Sequence, residues 1–591
     1  MKTPAIVTRA APPDAVERLL GNGVHPLLAR IYAARGVASP QDLDADFGRL
    51  AALDTMLNLS AMAKRLADAI AARKKLLIVA DYDADGAMAC AVGMRALRAF
   101  GADVGYLVPN RFEYGYGLSP EIVRLAHAQS KPDILITVDN GIASNEGVAE
   151  SNSLGMEVLI TDHHLPGERL PDAACIINPN QPGCGFPSKN LAGVGVMFYL
   201  MMALRAELRE RGAFGPREKG KGEREKETGS SFILHPSSLG PAEPNLAELL
   251  PLVALGTVAD VVPLDHNNRI LVQQGLARIR AGRMQPGIAA LFEVARRDPR
   301  NAVARDLGFT LGPRLNAAGR LTDMALGIEC LVTDDPARAR TIAAELDRLN
   351  RERRSIETDM KEEALAAVEA QDIGDGYTLS LFDAAWHQGV VGIVAGRIKD
   401  RFHRPAIAFA RGNAGEIRGS GRSIPGLHLR DALDRVAVLH PGLILKFGGH
   451  AAAAGLTLKE SDFGRFRDAF EETARHLLSP ADLEQVIETD GALAPGELTA
   501  EIVGLLSAPV WGQGFPAPRF CNEFEVAAQR IVGEKHLKLT LANGKARVDA
   551  IRFNSVGPAP LRIRAVYHPA LNTFNGRTSV QIQVEHWEPL T

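Results

Sequence analysis

The chain has 591 residues, 46% hydrophobic and 23% charged, with a net charge of −3. These are the proportions of a soluble globular protein, and at roughly 150 residues per domain they predict three or four domains. The near-neutral total excludes a globally basic nucleic-acid binder, although a cationic groove fits inside a balanced charge. The five cysteines, Cys90, Cys175, Cys184, Cys330 and Cys521, form no CxxC pair, so neither a zinc site nor a disulfide framework is expected. The opening MKTPAIVTRAAPPDAVERLL has no signal-peptide apolar core, and Leu191 to Leu204 is too short to span a bilayer. A cytoplasmic protein without membrane contact is expected.

Residues 14–50 carry helical periodicity punctuated by Pro26 and Pro40. Met56 to Arg73 reads as an amphipathic helix leading into the apolar strand Leu76 to Ala80, which suits a strand buried on both faces of a parallel sheet. Asp81, Asp83 and Asp85 then alternate on a turn before a helix that runs from Ala87 to Phe100. Two unit charges 4 Å apart repel by about 4 kcal/mol at an effective dielectric of 20. Clustered carboxylates therefore call for a cation, and oxygen ligands favour Mg²⁺ or Mn²⁺. A solvated acidic turn is the plain alternative for this stretch alone.

Two further apolar runs end the same way. Ile134 to Val138 closes on Asp139-Asn140-Gly141, and Val158 to Thr161 on Asp162-His163-His164, with a helix Ser144 to Leu154 between them. This is βαβ alternation, and right-handed crossovers bring all three carboxyl ends to one edge. A helix from Leu249 adds Asp260 at its end. A carboxylate at the negative end of a helix is unfavourable unless it meets a cation. Residues 214–246 read as a mobile mixed-charge, Gly-rich insert.

Gly312 to Arg320 reads as a polar loop with two arginines. A long helix of about residues 337–370 follows, with an apolar stripe that Arg353 interrupts. A second α/β region then runs from strand Tyr377 to Phe382, through Gly421-Arg422-Ser423, to Gly448-Gly449-His450. Paired glycines ahead of a helix would let backbone amides approach an anion, although small-residue packing explains them equally well. From about residue 484, five candidate strands suggest a small barrel of the OB-fold kind, with Lys535, Lys538, Lys545, Arg547 and Arg577 along a groove or on a solvated face.

Taken together, Asp81 to Gly86, Val138 to Gly141, Asp162 to His164 and Gly256 to Asp260 resemble the four motifs of the DHH phosphoesterase superfamily. Gly448-Gly449-His450 with Ala453-Ala454-Gly455 is similar to the signature of its associated DHHA1 domain. The long helix, the terminal barrel and the segments Pro109-Asn110-Arg111, Gly115-Tyr116-Gly117 and Pro313 to Arg320 resemble its single-strand exonuclease branch. The likeness spans about residue 20 to the end, and the insert has no counterpart.

The resemblance implies an α/β chain in five parts: a helical segment 1–50, a parallel-sheet DHH domain 51–336, a linking helix 337–370, a DHHA1 domain 371–480 and an OB-fold barrel 484–591. It implies a two-metal exonuclease that digests single-stranded DNA from 5′ to 3′ in recombination and repair, using Mn²⁺ or Mg²⁺. Asp81, Asp83 and Asp139 would hold one cation, and Asp85, Asp139, His163 and Asp260 the other, with Asp162 and His164 orienting the ligands or the phosphate. Arg111, Arg314, Asn316, Arg320, Arg422, Gly448, Gly449 and His450 would contact the nucleic acid. A monomer working beside a single-strand-binding protein and a helicase is the implied setting. The alternatives are a DHH-type pyrophosphatase, which would lack the barrel, a phosphodiesterase for short oligonucleotides or cyclic dinucleotides, and a non-catalytic replication scaffold, which would have lost metal ligands.

Overall fold

The computed structural model describes residues 3–110, 117–215, 241–370, 375–412, 415–574 and 577–590. Most of the insert expected at 214–246 therefore falls outside the described residues. The N-terminal segment holds helices Pro13–Gly21 and Pro26–Ala33. It also holds a strand that periodicity did not reveal: β1 (Ala5–Thr8) pairs in parallel with β12 (Val486–Thr489), at the far end of the sequence.

The first sheet contains β2 (Lys75–Ala80), β3 (Asp103–Leu107), β4 (Ile134–Val138), β5 (Glu157–Thr161) and β6 (Cys175–Ile177) in the order β3-β2-β4-β5-β6. All four pairings are parallel. Helices cover both faces, so β4 is buried along its whole length and β2 at every residue after Lys75. Helix Ala84–Ala99 follows β2, and helices Gly193–Glu210 and Leu250–Ala259 pack against it. The carboxyl ends of β2, β4 and β5 share one edge, where open α/β sheets bind ligands.

The 35-residue helix Pro336–Ala370 leads to a second sheet. Its strands are β7 (Leu379–Phe382), β8 (Ala406–Arg411), β9 (Glu416–Arg422), β10 (Lys446–Gly449) and β11 (Ala453–Lys459), in the order β10-β11-β9-β8-β7. Only β7 and β8 are parallel. The chain ends in a closed barrel of β13 (Phe520–Val532), β14 (His536–Asn543), β15 (Ala546–Arg552), β16 (Arg562–Phe574) and β17 (Arg577–Pro589). Among the described residues, no helix is long and apolar enough to cross a membrane.

Two local expectations need correction. Gly312 to Arg320 is helix Gly312–Leu321, entered through a π-helical turn Leu307–Leu311. Pro313 sits in the first turn, where its missing N–H costs nothing, and Leu315, Ala317 and Ala318 are buried beneath the polar positions. Gly448-Gly449-His450 does not precede a helix. Its two glycines end strand β10, where Gly448 pairs with Gly455 and Gly449 with Ala454, and His450 opens the hairpin turn; Gly449 holds φ +138°, a conformation that favours glycine.

Candidate metal centre

The acidic turn after β2 forms because Asp83 caps helix Ala84–Ala99: its Oδ1 accepts from the N–H of Asp85 (2.9 Å) and of Gly86 (3.1 Å). Asp81 and Asp85 flank this cap and are buried. Asp85 lies within the helix, yet its carboxylate meets the start of another one. Its Oδ2 accepts from Gly193 N–H at 2.6 Å and its Oδ1 from Val194 N–H at 3.0 Å. Position 193 must stay small, because a Cβ there would lie 2.6 Å from Asp139 Oδ1. The sequence reading missed Gly193 and Val194. The only local signal was the Ala192-Gly193-Val194-Gly195 helix start, far along the chain from Asp85.

Asp139 follows β4, is buried and holds φ +64°. Left-handed backbone at a non-glycine residue costs about 1–3 kcal/mol and persists only where the surroundings enforce it. The enforcement is visible here: Asp139 N–H donates to Thr161 O (3.0 Å), and the Asn140 side-chain amide ties to Val138 O (2.9 Å) and Val79 O (3.2 Å).

Asp162 is not placed as a ligand. Its Oδ2 accepts from Ile142 N–H (2.9 Å), while its Oδ1 accepts from the N–H groups of His163 and His164 and lies 2.7 Å from His164 Nδ1. Asn178 and Asn180 donate to the carbonyls of His164 (2.9 Å) and His163 (2.6 Å), so the turn after β6 fixes the same backbone. His163 Nε2 then lies 3.0 Å from Asp139 Oδ1, 3.6 Å from Asp260 Oδ2 and 4.0 Å from Asp85 Oδ2.

Three sets of ligand atoms gather within 4.8 Å of one another: Asp81, Asp83 and Asp139; Asp85, His163 and Asp260; and Asp139, His163 and His164. The electrostatics follow from this crowding. Burial, then the neighbouring carboxylates, push Asp139 well above the ordinary carboxylate range, with Asp85 first among those neighbours. Asp85 is raised by burial and by Asp260, and Asp260 by burial and by Asp83. Burial and the adjacent His164 hold His163 below the usual histidine value, which leaves it neutral with a lone pair to offer. Burial opposes charge on both His164 and Asp162, but their mutual hydrogen bond and attraction prevail. His164 is raised to about 9 and Asp162 is lowered.

The second sheet brings its hairpin to this edge. The His450 ring stacks on His164 with centroids 5.5 Å apart and 20° between the planes. Arg422, at the end of β9, is half-buried and donates to Gly421 O (2.8 Å) and Ser420 Oγ (3.1 Å). Gly448 lies open to solvent on the same hairpin. Arg320 donates to Gly389 O at 3.0 Å and so joins the two domains.

One expected nucleic-acid contact is corrected by its surroundings. Arg314 is buried and bound to Asp347 (2.9 and 3.0 Å) and to Thr310 O (2.6 Å), pinning its helix to Pro336–Ala370. Asn316 Oδ1 accepts from Ala84 N–H at 2.8 Å and steadies the acidic turn. Arg111 lies outside the described residues.

A parallel sheet whose carboxyl edge gathers aspartates and histidines, faced by a second α/β domain, is the arrangement of a DHH phosphoesterase. The DHH family N-terminal domain matches residues 75–221, the DHHA1 domain 374–476 and the RecJ OB domain 489–586. The chain is 49% identical to the single-stranded-DNA-specific exonuclease RecJ of Dickeya dadantii, across 99% of this chain and 100% of that protein. It superposes on RecJ of Thermus thermophilus in complex with Mn²⁺ with a TM-score of 0.80 at 29% identity, covering 99% of this chain and 79% of that one. The Mg²⁺ complex gives a TM-score of 0.74 at 28% identity, covering 99% and 78%. The chain belongs to the RecJ family of single-stranded-DNA-specific exonucleases.

Proposed function

We propose that the edge formed by Asp81, Asp83, Asp85, Asp139, His163 and Asp260 is the catalytic centre of this exonuclease, holding two divalent cations. The chain is a hydrolase of single-stranded DNA that works with Mn²⁺ or Mg²⁺. The observation that carries the assignment is the convergence of three ligand sets on Asp139 and His163. The donor set also suits a cation: His163 Nε2 and Asp260 Oδ2 are buried without a hydrogen-bond partner among the described residues, and a buried polar atom is costly unless something satisfies it.

Asp81, Asp83 and Asp139 would hold one cation, and Asp85, His163 and Asp260 the other, with Asp139 between them. When bound, the pair supplies Lewis-acid chemistry, polarising the phosphoryl group and activating water. The chain supplies the rest. His164, fixed by its hydrogen bond with Asp162, would face the phosphate. His450 approaches the same place from the second domain by stacking on His164, Arg422 would reach the phosphate from the end of β9, and Arg320 ties the two domains together through Gly389 O. We infer that digestion runs from the 5′ end, in recombination and repair within the cytoplasm, by a monomer served by a single-strand-binding protein and a helicase.

The test compares single strands labelled at either end with duplex of the same sequence, with Mn²⁺, using the intact chain and Asp139→Asn. Wild type should digest only the single strand and release the 5′ label first, while Asp139→Asn should be inactive yet folded. Activity of Asp139→Asn within about tenfold of wild type, a difference of about 1.4 kcal/mol in barrier, overturns the assignment.

A further inference from the structure

Two large apolar side chains stand in water near the metal edge. Phe309 is 74% exposed and Val261 is 61% exposed. Both occupy backbone of an uncommon kind. Val261 directly follows Asp260 and holds φ +67°, a region that β-branched residues avoid. Phe309 is the middle residue of the π-helical turn Leu307–Leu311, a rare form that recurs at functional sites. Leu307 and Leu311 are fully buried, so the turn anchors itself through its ends and leaves Phe309 outside.

The two residues share one neighbourhood. A Cβ on Gly308 would lie 3.0 Å from Val258 Cγ1, in the last turn of the helix that ends at Asp260. The same segments reach toward the barrel. The charge of Arg305 acts on Glu585 of β17. Beyond Val261, Leu264 N–H donates to Gln513 O at 2.7 Å, shortly before β13. Phe309 and Val261 therefore stand on segments that pack together, one directly after a metal-edge carboxylate and both continuing toward the barrel.

We propose that Phe309, backed by Val261, is a stacking platform for a nucleobase of the single strand just ahead of the metal edge. The proposal rests on the exonuclease reading above. A base has two apolar faces, and an exposed aromatic ring is a sequence-tolerant partner for one of them. In a duplex those faces are covered by neighbouring base pairs, so the platform favours an unpaired strand. A surface phenylalanine without a role would need neither the π turn nor the strained valine beside a metal-edge carboxylate.

The experiment uses the full chain and oligonucleotides carrying 2-aminopurine at successive positions. In an Asp139→Asn background, Phe309→Ala should weaken single-strand binding by about tenfold, the effect of one lost base stack. It should also relieve 2-aminopurine quenching at one or two adjacent positions, and Phe309→Tyr should restore both. In the active enzyme, Phe309→Ala should raise KM by a similar factor and leave kcat and the thermal midpoint unchanged. Binding within about twofold of the parent, with an unchanged quenching pattern, overturns the platform. If wild type digests single strands and Phe309→Ala changes nothing, the platform alone fails; if wild type does not digest them, the exonuclease reading fails with it.

Discussion

Asp139 combines burial, like-charged neighbours and a left-handed backbone, and none of these favours folding. The fold tolerates them because the strands on either side are buried beyond their first residues and the tie from Asn140 is local. The raised carboxyls of Asp85, Asp139 and Asp260 make a prediction about the metal-free protein. A carboxyl whose folded pKa lies above its unfolded value, about 3.9, takes up protons on folding. Its contribution to stability is present at low pH and is lost as pH rises from the ordinary carboxylate range through the raised value. Asp162 acts in the opposite sense, because its lowered carboxyl loses its contribution only as pH falls below that range. Between about pH 5 and about pH 8 the three raised carboxyls and the raised His164 all lose stability as pH rises, and together they outweigh His163, whose lowered value acts in the opposite sense. EDTA-treated protein should therefore melt earlier as pH rises across this window, and the rise in midpoint on adding Mn²⁺ should grow. Calorimetry on both forms measures it, and a Mn²⁺ effect independent of pH would show that these carboxyls do not share the cation site.

At the scale of elements, the linking helix carries more than an apolar stripe. Arg353, which breaks the stripe, is buried with Glu357: Nη1 donates to Glu357 Oε2 at 2.7 Å and Nη2 to Asn350 Oδ1 at 3.1 Å. The other oxygen of Glu357 accepts from Arg397 at 3.0 Å, on helix Val391–Phe402 of the second domain. Removing one partner of a buried pair costs about 3–5 kcal/mol, while replacing both by apolar groups is often neutral. Glu357→Ala should therefore lower the thermal midpoint and speed amide exchange in the second domain, and Arg353→Leu with Glu357→Leu together should recover most of the loss. If Glu357→Ala melts like wild type, the pair carries no stability. Such pairs show why the sequence is informative unevenly. Asp81, Asp83 and Asp85 were legible because period-two acids after an apolar run have few other readings. Arg314 was not, since Asp347, which occupies it, is distant in sequence. The glycine hairpin was misread as a helix start because Gly, His and Ala serve both forms, and only pairing with Ala454 decides between them.

For the whole molecule, the packing of the barrel argues against a detachable module. Phe520, Leu539 and Tyr567 of the barrel share one contiguous core with Leu19 and Ile31 of the N-terminal helices and with Leu76 and Ile136 of the first sheet. Arg35 and Asp490 are bound through two contacts (2.7 and 2.9 Å), with both side chains only 1% exposed. Arg35 also donates to Pro516 O (2.7 Å), and Arg269 lies over the Phe515 ring at 4.3 Å. Ending the chain near residue 483 would strip β12 from β1, leave the Arg35 guanidinium buried without its carboxylate and open an apolar face. That truncation should be insoluble or melt far below the intact chain, so it cannot isolate the barrel's grip on DNA. Point changes can. Lys545 and Arg547 are exposed at the β14–β15 hairpin, whereas Lys538 is already paired with Asp549 at 3.1 Å. Each phosphate contact on a single strand contributes about −0.7 to the slope of log affinity against log salt. Lys545→Ala and Arg547→Ala in the full Asp139→Asn chain should each make that slope shallower by about this amount, with the thermal midpoint unchanged. Fluorescence anisotropy across a salt series reads it. An unchanged slope would remove this end of the barrel from the DNA path, and a stable, soluble truncation would show that the shared core is dispensable.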